Sequence, residues 1–144
     1  MKREILFRGK RFDNGEWITG LMLKCTLYAG TAYLIFGDSF ATDLLGNVHA
    51  LSHAMVDPDT VGQYTGLKDP LGRKIFEGDI FATGDCMMFV TFKGGEFVLE
   101  GTVNGKTKRY PMTACYDDKE ITEFDFIMIG NIYDNPEMIQ AEGS

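Results

Sequence analysis

The chain of 144 residues is 44% apolar and contains 11 Phe and 6 Tyr, while 14 basic residues stand against 21 acidic ones for a net charge of −7. This composition predicts a globular chain that buries its own core without disulfides or metals. The net charge disfavours general nucleic-acid binding, because an acidic protein repels phosphate backbones.

The N-terminal part of the chain predicts short antiparallel strands. Residues 4–8, rich in Ile, Leu and Phe, are a first strand candidate. Asn14-Gly15 predicts a hairpin turn, because both residues tolerate the left-handed backbone that a tight turn requires. Residues 16–26 are the return strand, and residues 31–36 are a further strand.

Residues 41–56 leave two structures open. Five apolar residues in this segment approximate helical spacing: Leu44, Leu45, Val48, Leu51 and Met55. Gly46-Asn47 interrupts that spacing, so a short helix and a hairpin both fit.

A connector at residues 56–62, with a proline and a final glycine, marks the predicted internal boundary. It separates an N-terminal β-rich lobe, residues 1–61, from a C-terminal lobe, residues 62–144.

Two turns open the C-terminal lobe. Residues 69–72, Asp-Pro-Leu-Gly, can close a β-turn, because proline presets its own φ and glycine tolerates a positive φ. Residues 77–79, Glu-Gly-Asp, predict a second glycine-containing turn that leads into a new strand. Strands are then predicted at residues 80–83, 87–92, 96–100, 107–111 and 124–129, and Asn135-Pro136 opens a short terminal helical turn.

Several short strands with glycine turns, at a spacing of roughly 8–12 residues, predict a mainly β fold. We expect short antiparallel strands that form an N-terminal β region packed on a small SH3-like barrel, with one or two short helices. The barrel rests on analogy, since the strand that follows Glu77-Gly78-Asp79 resembles the start of such barrels.

The cysteines and the N-terminus indicate the compartment. Cys25, Cys86 and Cys115 lie far apart and fit neither a disulfide framework nor a paired zinc site, so we interpret them as reduced structural thiols. No apolar run approaches the roughly 20 residues that span a bilayer. The N-terminus lacks the uncharged core of a signal peptide. We therefore expect a soluble, cytoplasmic protein without membrane contact.

Three separated motifs occur in order along the chain. Residues 63–69 read Gln-Tyr-Thr-Gly-Leu-Lys-Asp, residues 75–80 read Ile-Phe-Glu-Gly-Asp-Ile, and residues 129–137 read Ile-Gly-Asn-Ile-Tyr-Asp-Asn-Pro-Glu. With the opening Ile-Leu-Phe-Arg at residues 5–8, they resemble the signature of the YopX family, proteins of bacteriophages and of prophages in bacterial genomes. The resemblance spans nearly the whole chain and is loosest over residues 28–56.

The resemblance implies a predominantly β fold, which could form one compact domain over residues 1–144, and a phage or prophage origin in the cytoplasm of a bacterial host cell. It implies no assigned activity, cofactor or catalytic residue. The motif residues that we interpret as structural are Tyr64, Gly66, Asp69, Gly72, Glu77, Gly78, Asp79, Gly130, Asn131, Tyr133, Asn135 and Pro136. Among them, Tyr64 and Tyr133 are candidates for locking the two ends of the fold together.

No residue set in the sequence forms a catalytic, cofactor or metal site. His49 and His53 stand four apart, which on a helix would place both on one face, but no third ligand accompanies them. An acidic cluster at residues 117–125 lacks the ligand spacing and the central glycine of an EF-hand, so we interpret it as a solvated loop. Five aromatic residues could line a groove, although core packing is the simpler interpretation: Trp17, Tyr64, Phe76, Tyr110 and Tyr133.

The leading hypothesis is a non-enzymatic binding or interaction protein that forms a homo-oligomer and contacts an unknown protein partner. Its many strands have edges that subunit contact would cover. The alternative is an accessory nucleic-acid-binding protein that uses a local basic patch: Lys2, Arg3, Arg8, Lys10 and Arg11. An enzyme that uses the acidic cluster as a metal site is a third hypothesis.

Overall fold

The structure, a computed structural model, describes residues 3–37, 40–50, 52–83, 86–112 and 127–140. These residues are mainly in β-strands, all paired antiparallel, which confirms the predicted fold class. The first strands are β1 (Phe7–Lys10), β2 (Trp17–Leu27), β3 (Gly30–Phe36), β4 (Phe40–Thr42), β5 (Val48–Ala50) and β6 (His53–Val56). They are followed by β7 (Gly62–Lys68), β8 (Lys74–Phe76), β9 (Asp79–Thr83), β10 (Cys86–Lys93), β11 (Glu96–Val103), β12 (Lys106–Pro111), β13 (Ile127–Asn131) and one short helix, α1 (Pro136–Gln140).

The chain divides into two compact units, Met1–Gln63 and Tyr64–Ser144. We call them the N-terminal and the C-terminal unit. The division lies within β7, two residues beyond the boundary that the sequence predicts. Just before it, the connector forms a short 3-10 turn, Pro58–Thr60, which Asp57 caps by accepting a hydrogen bond from the Asp59 amide at 3.0 Å.

In the N-terminal unit the strand order is β6, β3, β2 and β1, and β1 also pairs with residues 62 and 63 at the start of β7. The predicted hairpin turn is confirmed, because Gly15 has a φ of 72° and its amide donates to the Arg11 carbonyl at 3.0 Å. Strand β2 changes partner along its length. Residues up to Gly20 pair with β1, and residues from Leu21 onward pair with β3.

The segment 41–56 is a hairpin followed by a strand, and the alternative of a helix is wrong. Strands β4 and β5 pair with each other and enclose a turn in which Gly46 has a φ of +82°. That positive φ breaks a helix, and the apolar spacing of the segment therefore reflects successive strands. Strand β6 then joins the edge of β3.

In the C-terminal unit a five-stranded sheet has the order β12, β11, β10, β9, β13. The strands predicted at 80–83, 87–92, 96–100 and 107–111 are confirmed within one to three residues at each end. The predicted last strand is described only from Ile127 onward, and it extends to Asn131. Within the described residues this sheet ends at β12 and β13, so the closed SH3-like barrel stays a prediction.

The core of this unit packs the β7–β8 hairpin against the sheet. Ile75, Phe81 and Leu99 have no exposed surface. The buried cluster consists of Leu67, Ile75, Phe81, Met88, Val90, Leu99 and Met112. Each large apolar side chain buried in this way contributes roughly 1.5–3 kcal/mol to the free energy of unfolding.

A buried carboxylate holds the turn between β7 and β8. Asp69 is 1% exposed, and one of its carboxylate oxygens accepts hydrogen bonds from the amides of Leu71 and Arg73 at 3.0 and 2.8 Å. Its other oxygen accepts from the Arg73 Nε at 2.7 Å. The same guanidinium donates from Nη2 to the Met128 carbonyl at 2.8 Å, so this turn is tied to β13.

We predict that Asp69→Ala lowers the free energy of unfolding by about 1.5–3 kcal/mol, because it removes the buried carboxylate that accepts three hydrogen bonds in this turn. Urea denaturation of the wild-type and variant chains measures the change. Arg109→Ala, which removes an exposed ion pair with Glu100, is the control and costs no more than about 1 kcal/mol. Equal losses in the two variants would contradict this role of Asp69.

Candidate interaction surface

The second sequence motif builds a turn against the third. The Gly78 amide donates to the Val90 carbonyl, and the Gly78 carbonyl accepts from the Ile132 amide, both at 2.8 Å. Gly78 has a φ of +91°, and a Cβ there would lie 2.8 Å from Cε2 of Tyr133. Glycine is therefore required for the backbone conformation and for the close approach of the tyrosine ring.

The third motif is organised by its asparagines. The Asn131 side chain accepts from the amides of Tyr133 and Asp134 at 3.0 and 2.9 Å. The Asn135 side chain accepts from the Asn131 amide at 3.3 Å, and a Cβ on Gly130 would lie 2.4 Å from Oδ1 of Asn135. These groups shape the entry into α1, whose first residue is Pro136.

The other motif residues lie in β7 and in the turns beside it. Tyr64 is 7% exposed and packs on Phe76, with ring centroids 5.6 Å apart, and both residues belong to the core. Gly66 and Gly72 have positive φ values of 89° and 80°. Glu77 precedes Gly78 in the turn, and the buried Asp79 accepts from the Phe76 amide at 2.7 Å. These motif residues therefore belong to the core and to the turns of the C-terminal unit.

The predicted basic patch is only partly assembled. Arg8 and Lys10 lie on one face of β1 and both approach the Trp17 ring, at 4.8 Å from guanidinium carbon to ring centroid and 5.5 Å from Nζ to centroid. Arg11 is engaged by Asp13 through two hydrogen bonds of 2.9 and 2.7 Å. Arg3 is exposed, and Lys2 lies outside the described residues. We call Arg8, Lys10 and Trp17 the cation–aromatic cluster.

The same face of the sheet continues along β2 as an exposed apolar surface. Because side chains alternate along a strand, Leu21, Leu23 and Leu27 share this face. They are 55%, 51% and 48% exposed. Their cross-strand neighbours include Phe36, Leu34 and, on β6, Met55, which is 44% exposed. We call the set Leu21, Leu23, Leu27, Leu34, Phe36 and Met55 the leucine face.

The opposite face of these strands is the buried one. Ile35 and Val56 have no exposed surface, and Ala54 is 7% exposed. Ile35 pairs with Met22 and with Ala54, in the rows that lie between those of the leucine face. Around Ile35 and Val56 the sheet therefore buries one side, while the leucines of β2 lie on the other.

A second exposed apolar feature is the β4–β5 hairpin, residues 40–50, which we call the arm. Residues 41–49 are all exposed. At its tip Leu44 is 105% exposed and Leu45 87%, and Val48 nearby is 66% exposed.

Asp43 organises the tip of the arm. Its carboxylate accepts from the amides of Leu45 and Asn47 at 2.9 and 3.0 Å, and it contacts Nε2 of His49 at 3.0 Å. The pKa of Asp43 is lowered to about 2, first because His49 hydrogen-bonds the carboxylate and then because Asn47 does. These bonds favour the ionised carboxylate.

The remaining candidate groups do not converge. His49 lies on β5 and His53 on β6, where His53 stacks on Phe36 with centroids 5.6 Å apart, so the helical spacing that would pair the histidines does not occur. The acidic cluster at 117–125 and Cys115 lie outside the described residues. In the part of the chain that the structure describes, no cluster of three His, Cys, Asp or Glu residues could hold a metal ion. Nor does any helix of that part have the length and apolar character to cross a membrane.

Sequence reasoning missed the leucine face and the arm, although both left a signal. In residues 21–27 the odd positions are all apolar, whereas the even positions are Met, Lys and Thr, and this alternation has the period of a strand. Asp43-Leu44-Leu45-Gly46 repeats the pattern of Asp69-Pro70-Leu71-Gly72. In both turns the aspartate accepts from the amides two and four residues later, and glycine takes a positive φ. That repeat predicts a turn at the tip of the arm.

Comparison with known proteins agrees with the motifs. The YopX protein family matches residues 7–140 of the chain. Among solved structures, the chain is similar to protein EF1440 from Enterococcus faecalis, with a TM-score of 0.59 and 22% sequence identity over 94% of this chain and 98% of that chain. At this identity the similarity concerns the fold alone. No curated protein matches the chain.

The lowered pKa of Asp43 predicts that the arm loosens in acid. A carboxylate whose pKa is lower in the folded arm than its ordinary value of about 4 stabilises the arm above that value, and the stabilisation is lost as the pH falls towards 2. NMR titration of the Asp43 carboxyl carbon and of the Leu45 and Asn47 amides measures both changes. A midpoint near 4, as in an unfolded peptide, would contradict the arm geometry.

Proposed function

The chain belongs to the YopX family, and we propose that it is a phage- or prophage-encoded, non-enzymatic binding protein. In this proposal the N-terminal unit presents the leucine face to a protein partner. The C-terminal unit supplies a folded body whose motif residues set its turns.

The observation that carries the proposal is the exposure of Leu21, Leu23 and Leu27 on the side of the sheet opposite the buried Ile35 and Val56. Single exposed leucines are ordinary, but a contiguous apolar surface is typical of an interaction site. Covering a leucine that is half exposed gains about 1 kcal/mol, half of the roughly 1.5–3 kcal/mol for burying one fully. Several such residues together supply a useful binding free energy.

The backbone of the leucine face is also pre-organised for protein contact. Its strands are paired continuously from Leu21↔Phe36 to Leu27↔Gly30, so its side chains are held in register before a partner arrives. Pre-organisation of this kind lowers the entropic cost of association. Apolar and aromatic side chains without charge are typical of the centre of a protein–protein interface.

We predict that a photo-crosslinking amino acid at position 23, in the full-length chain expressed in host cells, forms a discrete adduct with a polypeptide that mass spectrometry identifies. The same amino acid at position 108, where Lys108 is exposed on β12, is the positional control. Leu21→Asp in the position-23 chain abolishes the adduct, whereas Leu71→Asp, at a leucine 68% exposed in the C-terminal unit, retains it.

Both aspartate substitutions are at exposed sites, so unchanged circular dichroism melting shows that the fold is kept. Equal adduct formation at positions 23 and 108, or an adduct that Leu21→Asp leaves unchanged, would refute the leucine face as the contact surface.

The cation–aromatic cluster favours a second candidate function, binding of single-stranded nucleic acid. Aromatic rings that stack on bases, together with cations that contact phosphates, are the usual elements of such sites. Arg8 and Lys10 supply the cations beside Trp17. The net charge of −7 disfavours nucleic-acid binding, because an acidic protein repels phosphates.

The chain contains one tryptophan, so its intrinsic fluorescence reports directly on the cation–aromatic cluster. If the second candidate is correct, a short single-stranded oligonucleotide at low salt quenches the Trp17 fluorescence. Added salt then reverses the quenching, because phosphate contacts release counterions. Lys10→Ala weakens binding several-fold, and Lys106→Ala, at an exposed lysine on β12, does not. Unchanged fluorescence at low salt would reject nucleic-acid binding.

A further inference from the structure

We propose that the leucine face is covered by the arm of a second copy of this chain, with Leu44 and Leu45 seated on Leu21, Leu23 and Met55. This inference rests on the proposed function, since it names the occupant of the same face. Each copy carries one arm and one face, so two copies exchange arms reciprocally and form a symmetric dimer.

The tip of the arm combines a fixed turn with two exposed leucines. Leu44 and Leu45 stand side by side with 105% and 87% of their surface exposed, the largest exposures among the leucines of the described residues. The Asp43 hydrogen bonds to the Leu45 and Asn47 amides fix the turn that carries them. The backbone of the tip is therefore fixed, while its two leucines stay exposed among the residues that the structure describes.

The turn itself does not require a leucine at position 44. The β7–β8 turn has the same hydrogen bonds from Asp69, the same glycine conformation and an exposed leucine at the equivalent third position. At its second position stands Pro70, where the arm has Leu44. Local backbone geometry thus accepts a residue other than leucine at that position, and the exposed Leu44 needs another explanation.

The arm and the face are compatible in charge. The arm, residues 40–50, contains one acidic residue, Asp43, and no lysine or arginine. Strands β1, β2, β3 and β6 place no acidic residue on the side that carries the leucine face, and Arg8 and Lys10 lie on that side beside Trp17. Within these four strands an arriving arm therefore meets apolar surface with Arg8 and Lys10 beside it, which suits an arm whose one charged residue is acidic.

A two-stranded hairpin alone is marginally stable in water. Residues 41–49 are exposed along both strands of the arm. Docking on a second sheet would bury the tip and stabilise the hairpin together with the interface. The arm therefore gains stability whenever it docks, and a second copy offers it an exposed apolar sheet on which to do so.

A disulfide trap tests the contact directly. Cys25 lies on β2 between Leu23 and Leu27 and on the same side of the sheet. In Leu45→Cys, mild oxidation with copper phenanthroline links residue 45 of one copy to Cys25 of the other, and the covalent dimer yields the 45–25 linked peptide. Leu71→Cys is the matched control, because Leu71 occupies the equivalent position of the same type of turn. Its covalent dimer is at least tenfold less abundant, and Cys25→Ser removes the product from Leu45→Cys.

Light scattering on a sizing column measures the assembly without a crosslink. We expect the wild-type chain to have twice the mass of one copy, and the double variant Leu44→Ser, Leu45→Ser to have the mass of one copy. Leu71→Ser keeps the wild-type mass. An unchanged far-ultraviolet circular dichroism spectrum of the variants shows that loss of the dimer is not loss of the fold, while the melting temperature of the double variant falls because the interface no longer stabilises the folded state.

The outcomes separate this inference from the proposed function. A wild-type monomer at high concentration, or a dimer that the tip variant leaves intact, overturns arm exchange. If position 23 then still forms an adduct with a different identified protein, the leucine face remains a binding surface and only its occupant was wrong. If neither test gives a product at the face, both proposals fail.

Discussion

The arrangement of the N-terminal sheet depends on one close backbone approach, at Gly20. There β2 leaves β1, where Gly20 pairs with Phe7, and joins β3, where Leu21 pairs with Phe36. A Cβ on Gly20 would lie 1.8 Å from the Phe36 carbonyl oxygen. Any side chain at this position would have to displace the Phe36 carbonyl, so the crossing of β2 from β1 to β3 requires glycine. The pairing that begins at Leu21 then decides which side of the sheet carries the leucines.

That placement gives the sheet two unequal sides. On one side Ile35 and Val56 are fully buried and Ala54 is nearly so. The leucines of β2 lie on the other side and keep about half of their surface in water. Half-exposed leucines contribute less to stability than buried ones would, and their position on one side of the sheet is the ground on which we propose that this side contacts a partner.

Much of this fold is predictable from the sequence where local chemistry decides it. Asn14-Gly15 and the glycine turns fix hairpins by their φ values, and the strands of the C-terminal sheet follow from their composition. The choice between helix and hairpin at 41–56 stays open in the sequence, because the apolar spacing fits a helix while Gly46-Asn47 fits a turn; the hydrogen bonds that Asp43 accepts from the Leu45 and Asn47 amides favour the turn. The alternation of 21–27 indicates a strand with two unlike sides, but it does not decide which side is buried. Its orientation is set by the distant β3 and β6.

The two related turns have the same local hydrogen bonds but differ in burial and in their contacts with the rest of the chain. Around Asp69 the carboxylate is buried, bound by Arg73 and tied to β13, so the turn belongs to the body of the C-terminal unit. Around Asp43 the carboxylate stays partly exposed, and its hydrogen bonds among the described residues come from the same hairpin. These bonds fix the backbone of the tip. If the tip docks on a second copy, as we propose, its turn needs little further ordering, and the burial of two leucines would favour the contact.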